Sequence, residues 1–405
     1  MACEQRFQRM PQNHIKCVAS YYYASEAQVR LAIKTATEAQ VKWDSVPIQD
    51  KINIWRKAAD LMADKYRFQL LAATMLGQGK SIHQAEIDAA CELIDFTRFN
   101  AYFLKELYKM QPNNPDTKTF RNASRIRGFE GFVAAISPFN FTAIAGNLAY
   151  TPALLGNSVV WKPSDNAILS NYIIFKIMTE AGVPDGVVNF VPCSPNTFGP
   201  LIATSPHLCG INFTGSVDTF EKIWRQIGRY VKNYKTYPRF VGELGGKNFH
   251  FVHPSADADV VIVHTILSAF EYSGQKCSAC SRLYCPESLW PEVQNGLLDM
   301  VKTIKVGDVE DFRNFTSARR VVKGKYKMLC GGKGDCKTGY FIEPTIIRVE
   351  DPCDRLMKEE IFGPVLAVYV YEDSKMEEVI DLISNTTHYA LTGAVFAEEE
   401  TFLRT

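Results

Sequence analysis

The sequence has almost no net charge, no apolar run of membrane length and no low-complexity tract. Lys and Arg number 45 against 44 Asp and Glu, a formal charge of +1. Such a balance gives no long-range field to attract nucleic acid or an anionic lipid surface. No apolar stretch approaches the ~18–20 residues needed to span a bilayer. Neither nucleic acid nor membrane is therefore expected as a partner. The opening Met1-Ala2-Cys3-Glu4 has no signal-peptide core, and no arginine-rich, acid-poor helix follows it. Internal repeats are absent. No Gly-x-Gly-x-x-Gly follows a strand pattern, so the usual dinucleotide-binding turn is missing. The 11 cysteines are irregularly spaced in a long chain, which favours reduced thiols in an intracellular protein. Cys277-x-x-Cys280 has no second pair or histidine at usable spacing, so a zinc site is disfavoured and no metal is expected.

What is present is a long chain with ample core material. At 405 residues and 46% hydrophobic content, two or more cores are expected. Residues 1–25 are polar and tyrosine-rich and read as an arm or edge strand. Ser25-Glu26-Ala27-Gln28 can cap a helix running to about Lys42. Further helices are expected over 50–64 and 67–76, and apolar residues at helical spacing fill 81–104. Residues 111–126, rich in Pro, Asn, Asp and Thr, read as a loop or exposed hairpin, with oligomerisation as a candidate role. Strands are then predicted at 127–136, 157–162, 187–191, 208–214 and 240–244, alternating with helices at 166–181, 198–204 and 216–232. This βαβ rhythm belongs to a mostly parallel sheet. A second unit follows, with strands at 249–253, 281–285, 341–349, 365–371 and 391–396 and helices at 257–270, 290–301 and 375–384.

Chemistry concentrates in three places. Phe270-Glu271-Tyr272-Ser273-Gly274-Gln275-Lys276-Cys277-Ser278-Ala279-Cys280 ends a helix in a glycine turn and presents a cysteine among small residues beside a lysine. A thiolate there can be a nucleophile, although Cys277, Cys280 and Cys285 can equally be buried structural residues. Glu243, in Gly242-Glu243-Leu244-Gly245-Gly246-Lys247-Asn248, closes a strand where doubly wound sheets hold ligands. Burial there would raise its pKa and suit it to take a proton from water; a solvated surface carboxylate is the alternative. Asn140, between Phe139 and Phe141, is either a turn former or an amide that, with the Cys277 N–H, holds a developing oxyanion. Gly215-Ser216 at a strand-to-helix junction can receive a pyrophosphate, and Lys162-Pro163-Ser164 can contact a cofactor ribose.

Taken together and in order, these segments resemble the NAD(P)-dependent aldehyde dehydrogenase superfamily over residues 12–399. The strongest pieces are Gly274-Gln275-Lys276-Cys277-Ser278-Ala279-Cys280, the run from Phe129 to Phe141, Ile211-Asn212-Phe213-Thr214-Gly215-Ser216 and Glu359-Glu360-Ile361-Phe362-Gly363-Pro364-Val365. The resemblance is greatest to the branch that acts on pyrroline-5-carboxylate. It implies an α/β fold with a Rossmann-type NAD-binding domain over 1–247 and an α/β catalytic domain over 248–405. It implies Cys277 as nucleophile, Asn140 as the oxyanion amide and Glu243 as the acid linked to deacylation. Lys162 and Ser164 would contact adenosine ribose, Gly215 and Ser216 the pyrophosphate. Glu360 and Phe362 would lie at the nicotinamide end, and Leu244 would also contact the cofactor. Lys276, Ser278, Glu92 and Phe141 would surround the aldehyde, with Lys276 attracting its carboxylate. The implied reaction is NAD-dependent oxidation of glutamate 5-semialdehyde to glutamate in proline catabolism, in a homodimer of the mitochondrial matrix.

Three departures from the family pattern are expected to matter. The leading segment is absent, the region around Asn314-Phe315-Thr316-Ser317 is short, and the family's strands and loop beyond Val395-Phe396-Ala397 do not follow. A second reading follows from them: a truncated, impaired form that at most binds NAD.

Overall fold

The computed structural model describes residues 4–114, 118–312, 314 and 326–398. Phe315, Thr316 and Ser317 of the short region, residues 115–117 of the expected hairpin and the terminal residues 1–3 and 399–405 lie outside them. The chain forms two compact units. One comprises Met1–Arg9, Cys17–Gln78 and His83–Glu243; the other Met10–Lys16, Gly79–Ile82 and Leu244–Thr405.

The polar N-terminal arm is a pair of strands, β1 (Gln5–Met10) and β2 (Asn13–Tyr22), forming a two-stranded sheet. Helix α1 (Glu26–Asp44) starts at the expected capping box, with Ser25 and Gln28 exchanging bonds. Helices α2 (Ile48–Ala63) and α3 (Arg67–Gln78) follow. The long apolar segment does not run as one regular helix. It passes through α4 (Ile82–Ala85), a π-helical turn at Glu86–Glu92 and α5 (Leu93–Lys109). The described residues of 111–126 form no strand. Gln111 and Asn114 nevertheless bind the facing backbone through their amides: Ser124 N–H donates to Gln111 Oε1 at 2.9 Å, and Asn114 Nδ2 to Asn122 O at 3.0 Å.

The sheet of the first unit runs β5-β4-β3-β6-β7, all parallel. Its strands are β3 (Phe132–Ile136), β4 (Ser158–Lys162), β5 (Val188–Phe190), β6 (Leu208–Thr214) and β7 (Arg239–Glu243). Strand β3 starts later than its sequence suggests, because Gly131 has φ +137° and a Cβ there would lie 2.1 Å from His207 O. The connecting helices are α6 (Thr142–Leu154), α7 (Ile168–Ala181), α8 (Pro195–Thr204) and α9 (Val217–Arg229). Helix α6 has no polar stripe and is buried on most sides, so periodicity does not reveal it. Trp43, Trp55, Tyr150 and Trp161 form an aromatic column in this core, and Trp43 Nε1 donates to Ala153 O at 2.6 Å.

The second unit holds a sheet ordered β10-β13-β14-β9-β8-β15. Its strands are β8 (Asn248–Val252), β9 (Cys280–Pro286), β10 (Lys327–Cys330), β13 (Thr345–Val349), β14 (Val365–Tyr371) and β15 (Gly393–Phe396), parallel except β10; β11 (Gly334–Asp335) and β12 (Phe341–Ile342) pair separately. Helices α10 (Ala258–Phe270) and α11 (Trp290–Thr303) contribute to a core of Val261, Ile262, Leu283, Cys285, Val293 and Leu366. Helices α12 (Arg355–Lys358) and α13 (Met376–Asn385) contribute to a second core of Phe251, Tyr284, Met357, Tyr371 and Val379. No helix of the described residues is long and apolar enough to cross a membrane. The units part after Glu243, whereas the sequence division stood after Lys247. Leu244 to Lys247 fall in the second unit, where Gly246 N–H donates to Glu360.

Candidate active site

Asn140 and Glu243 belong to the first unit, Cys277 to the second. In the first unit, every candidate except Glu92 follows the carboxyl end of a parallel strand. This is the edge where such sheets bind ligands, because successive chain crossings diverge there. Asn140 and Phe141 follow β3, Lys162 ends β4 with Ser164 just beyond, Gly215 and Ser216 follow β6, and Glu243 ends β7. Ser216 is the N-cap of α9, its Oγ accepting the Thr219 N–H at 3.4 Å. Lys162 is buried and donates to Pro163 O at 3.2 Å; burial holds its pKa below the ordinary lysine value, against the pull of Asp165. Asn140 is buried, whereas Glu243 is exposed. The burial expected of Glu243 is thus absent; β7, which it ends, is the last strand of its sheet.

The segment carrying Asn140 is held from below by a residue far away in sequence. Phe141, the N-cap of α6, has no side-chain cap to offer. Asp88 replaces it. Its Oδ2 accepts the Thr142 N–H and its Oδ1 the Ala143 N–H, both at 2.9 Å, and the side chain is 1% exposed. A carboxylate at a helix N-terminus satisfies two orphan donors and opposes the positive end of the dipole. Asp88 sits in the π-helical turn that ends at Glu92, and such turns recur at functional sites. Thr142 Oγ1 is also bonded to Thr74 Oγ1 at 2.8 Å and Gln78 Nε2 at 3.1 Å.

In the second unit, helix α10 ends at Phe270 and the chain enters a left-handed turn. Tyr272, Ser273 and Gly274 have φ of 50°, 56° and 64°. The first two residues carry side chains, and each such residue in this region costs about 1–2 kcal/mol. Among the described residues only one other non-glycine has positive φ, Phe362 at 57°. Strain that persists is held by its surroundings and gathers at functional sites. Here it flanks Cys277 on one side and Glu360 on the other. The two segments touch: a Cβ on Gly274 would lie 2.5 Å from Gly363 O. Cys277 is partly exposed, while Cys280 and Cys285 are buried, with burial pushing both of their thiols up to about 12. The structural role open to all three therefore suits those two and not Cys277.

Two glycines lie beneath this turn. A Cβ on Gly245 would meet the Glu360 carboxylate at 2.3 Å, and one on Gly246 would meet Cys277 O at 2.1 Å. Gly246 N–H donates to Glu360 Oε1 at 2.9 Å; burial raises the Glu360 pKa, against this bond and the nearby Lys247 charge. Lys247 is buried and its pKa falls to about 7, chiefly by burial and then by the neighbouring Arg282 charge. Lys276 Nζ lies 2.7 Å from Glu271 Oε2, both partly buried.

A model of the aldehyde dehydrogenase family matches residues 3–404. The chain belongs to the aldehyde dehydrogenase family. This aldehyde dehydrogenase is 52% identical over 415 residues to the mitochondrial delta-1-pyrroline-5-carboxylate dehydrogenase of Bos taurus, covering 98% of this chain and 73% of that protein. The zebrafish (Danio rerio) protein of the same name is 51% identical over 416 residues, covering 98% and 74%. Among solved structures, the delta-pyrroline-5-carboxylate dehydrogenase of Mycobacterium tuberculosis bound with NAD superposes with a TM-score of 0.93 at 37% identity, over 100% of this chain and 77% of that one. The Thermus 1-pyrroline-5-carboxylate dehydrogenase with bound NAD gives a TM-score of 0.89 at 29% identity, over 99% and 79%.

Within its second unit this aldehyde dehydrogenase brings together Lys276, Cys277 and Ser278, the Leu244–Asn248 segment and the Glu360–Phe362 segment. Within its first unit it sets Asn140, Phe141, Lys162, Ser164, Gly215, Ser216 and Glu243 along one sheet edge. Glu92 is partly buried at the end of the π-helical turn. Sequence reasoning did not anticipate Asp88, Glu271 or Asn248. Asp88 looked like one more polar residue of a helix. Glu271, five residues before Lys276, could have been flagged as a charge partner by its proximity alone. Asn248 had only its place beside the glycine pair to mark it.

Proposed function

We propose that the chain oxidises L-glutamate 5-semialdehyde, in equilibrium with cyclic 1-pyrroline-5-carboxylate, to L-glutamate with NAD. One observation carries the reading: a partly exposed cysteine on a strained, glycine-backed turn that abuts the Glu360–Gly363 segment, in a chain half identical to relatives named for this activity. Cys277, as thiolate, forms a bond from Sγ to the aldehyde carbon, and the carbonyl pair moves onto oxygen. The Asn140 amide and the Cys277 N–H hydrogen-bond the alkoxide. Bound NAD supplies the acceptor for the hydride that departs when the alkoxide collapses to a thioester on Cys277. Glu243, exposed to solvent, takes a proton from water, which attacks the thioester; the C–S bond breaks, releasing glutamate and the thiol.

For NAD itself, Lys162 and Ser164 serve the adenosine ribose and Gly215 and Ser216 the pyrophosphate. The exposed Ser216 end of α9 supports this, since a helix start offers N–H groups to an anion. Glu360 and Phe362 serve the nicotinamide end, and Leu244 also contacts the cofactor. Ser278, Glu92 and Phe141 line the aldehyde. Lys276 addresses the substrate carboxylate, which must then compete with Glu271 for the ammonium. The unit that ends at Glu243 acts as the NAD-binding domain and the unit that holds Leu244 onward as the catalytic domain. The active form is a homodimer in the mitochondrial matrix. Purified protein given NAD and glutamate semialdehyde should yield a burst of NADH that Cys277→Ser abolishes. No NADH from folded wild-type protein, or an unaltered rate in Cys277→Ser, would refute the reading.

A further inference from the structure

We infer that Asn248 is a positioning residue for the nucleophile, acting through the backbone of the cysteine turn; the inference deepens the function proposed above and rests on it. Strand β9 begins at Cys280, so the three residues before it, Cys277 to Ala279, lie beyond the sheet ladder. Pairing with β8 sets Asn248 opposite Cys280 and Phe249 opposite Arg282, which makes Ser281 the extra residue of a bulge. At the bulge the turn leaves the sheet, and its carbonyls lose the N–H partners that a continued strand would provide.

Asn248 supplies those partners from its side chain. Its Nδ2 donates to Cys277 O at 2.6 Å and to Ala279 O at 3.0 Å, and its Oδ1 accepts the Thr392 N–H at 3.0 Å. These bonds use both amide protons and the amide oxygen. The side chain is 3% exposed, so water does not substitute for it. Gly246, two residues earlier, has no side chain because Cys277 O occupies the space. The nucleophile's own carbonyl is thus fixed from two sides by one short segment. The same segment reaches Glu360 through the Gly246 N–H. A carboxamide is the required group: a carboxylate has the same shape but would point oxygen at two carbonyl oxygens.

The experiment compares Asn248→Asp, Asn248→Ser and wild-type protein in two assays. Steady-state kinetics with NAD and glutamate semialdehyde should show kcat reduced about 10²-fold in Asn248→Asp, as a misplacement near 1 Å does, with both KM values within ~3-fold. Asn248→Ser, which keeps one donor, should lie between. The second assay is the rate of Cys277 alkylation by iodoacetamide across pH without substrate, read once circular dichroism shows an intact fold; Asn248→Ser adds no charge, so its rate separates positioning of the turn from a charge effect. Asn248→Asp should displace that profile to higher pH, because its carboxylate adds negative charge beside the turn. Asn248→Ser should lower the alkylation rate without displacing it. Unchanged kcat in both folded variants and a wild-type alkylation rate in Asn248→Ser would overturn the inference. If wild-type protein makes no NADH, the proposed function fails, and the alkylation rates still decide for or against Asn248.

Discussion

Removing the Asp88 carboxylate should loosen the start of α6 and, with it, the Asn140 segment two residues upstream. Asp88 accepts two buried backbone N–H groups at 2.9 Å each. Hydrogen bonds to a charged group contribute ~1.5–3 kcal/mol each, and a buried donor left unsatisfied costs ~1–3 kcal/mol. Asp88→Ala therefore costs about 3–5 kcal/mol, somewhat above the ~0.5–2 kcal/mol of an ordinary exposed cap. Asp88→Asn keeps one acceptor oxygen but turns an amide NH2 toward the other N–H, and about 2 kcal/mol is expected. Two compact units make a global melting point ambiguous, so the measurement should be local. Hydrogen exchange of the Thr142–Asn147 amides reads the opening of this turn. At ~1.4 kcal/mol per tenfold, exchange should quicken about 30-fold in Asp88→Asn and roughly 10²- to 4 × 10³-fold in Asp88→Ala, with kcat falling alongside. If these amides exchange at the wild-type rate in Asp88→Asn, the carboxylate does not hold the helix start and the argument is wrong.

Two further outcomes follow from the same reasoning. His250 is buried and bonded through Nδ1 to Thr265 Oγ1 at 2.9 Å, and burial, then His264, lowers its pKa from 6.5 to about 4. The folded state thus keeps it neutral where the unfolded chain takes up a proton. Its contribution to stability is complete above pH 6.5 and is lost as pH falls toward 4. Urea unfolding across that window should show a slope that His250→Gln flattens; an equal slope in both proteins contradicts this. Gly246→Ala should reduce kcat at least 10²-fold, because its Cβ would lie 2.1 Å from Cys277 O. Gly228→Ala, in α9 with nothing within 4 Å of a Cβ, is the control; it should keep activity and stabilise by about 0.5–1 kcal/mol. Equal activity in the two variants would show that the Cys277 carbonyl is not held by this contact.

Much of the fold was legible because its signals are local. The Ser25 box, the strand Leu208–Thr214 and the strand Val365–Tyr371 stand where pattern placed them, since apolar period and capping chemistry act over a few residues. Helix α6 was not read, since a helix buried all round has no period to find. The π-helical turn was hidden for a related reason: the apolar spacing of 81–104 fits a regular helix about as well. The shared motifs pointed to Cys277, Asn140 and Glu243. They did not reveal that Glu243 is exposed on an edge strand or that Glu271 pairs with Lys276.

By itself the sequence determined the family, the alternation of strands and helices, and the residue types available for chemistry at strand ends and turns. Tertiary structure decided how those residues are held. Asp88 meets Thr142 across 54 positions and Asn248 meets Cys277 across 29. Neither pairing leaves a local trace, because a hydrogen bond between distant segments depends on where the backbone returns. The left-handed turn before Cys277 is of the same kind. Tyr272 and Ser273 have no intrinsic preference for positive φ, and only packing around them makes that conformation the lowest in free energy.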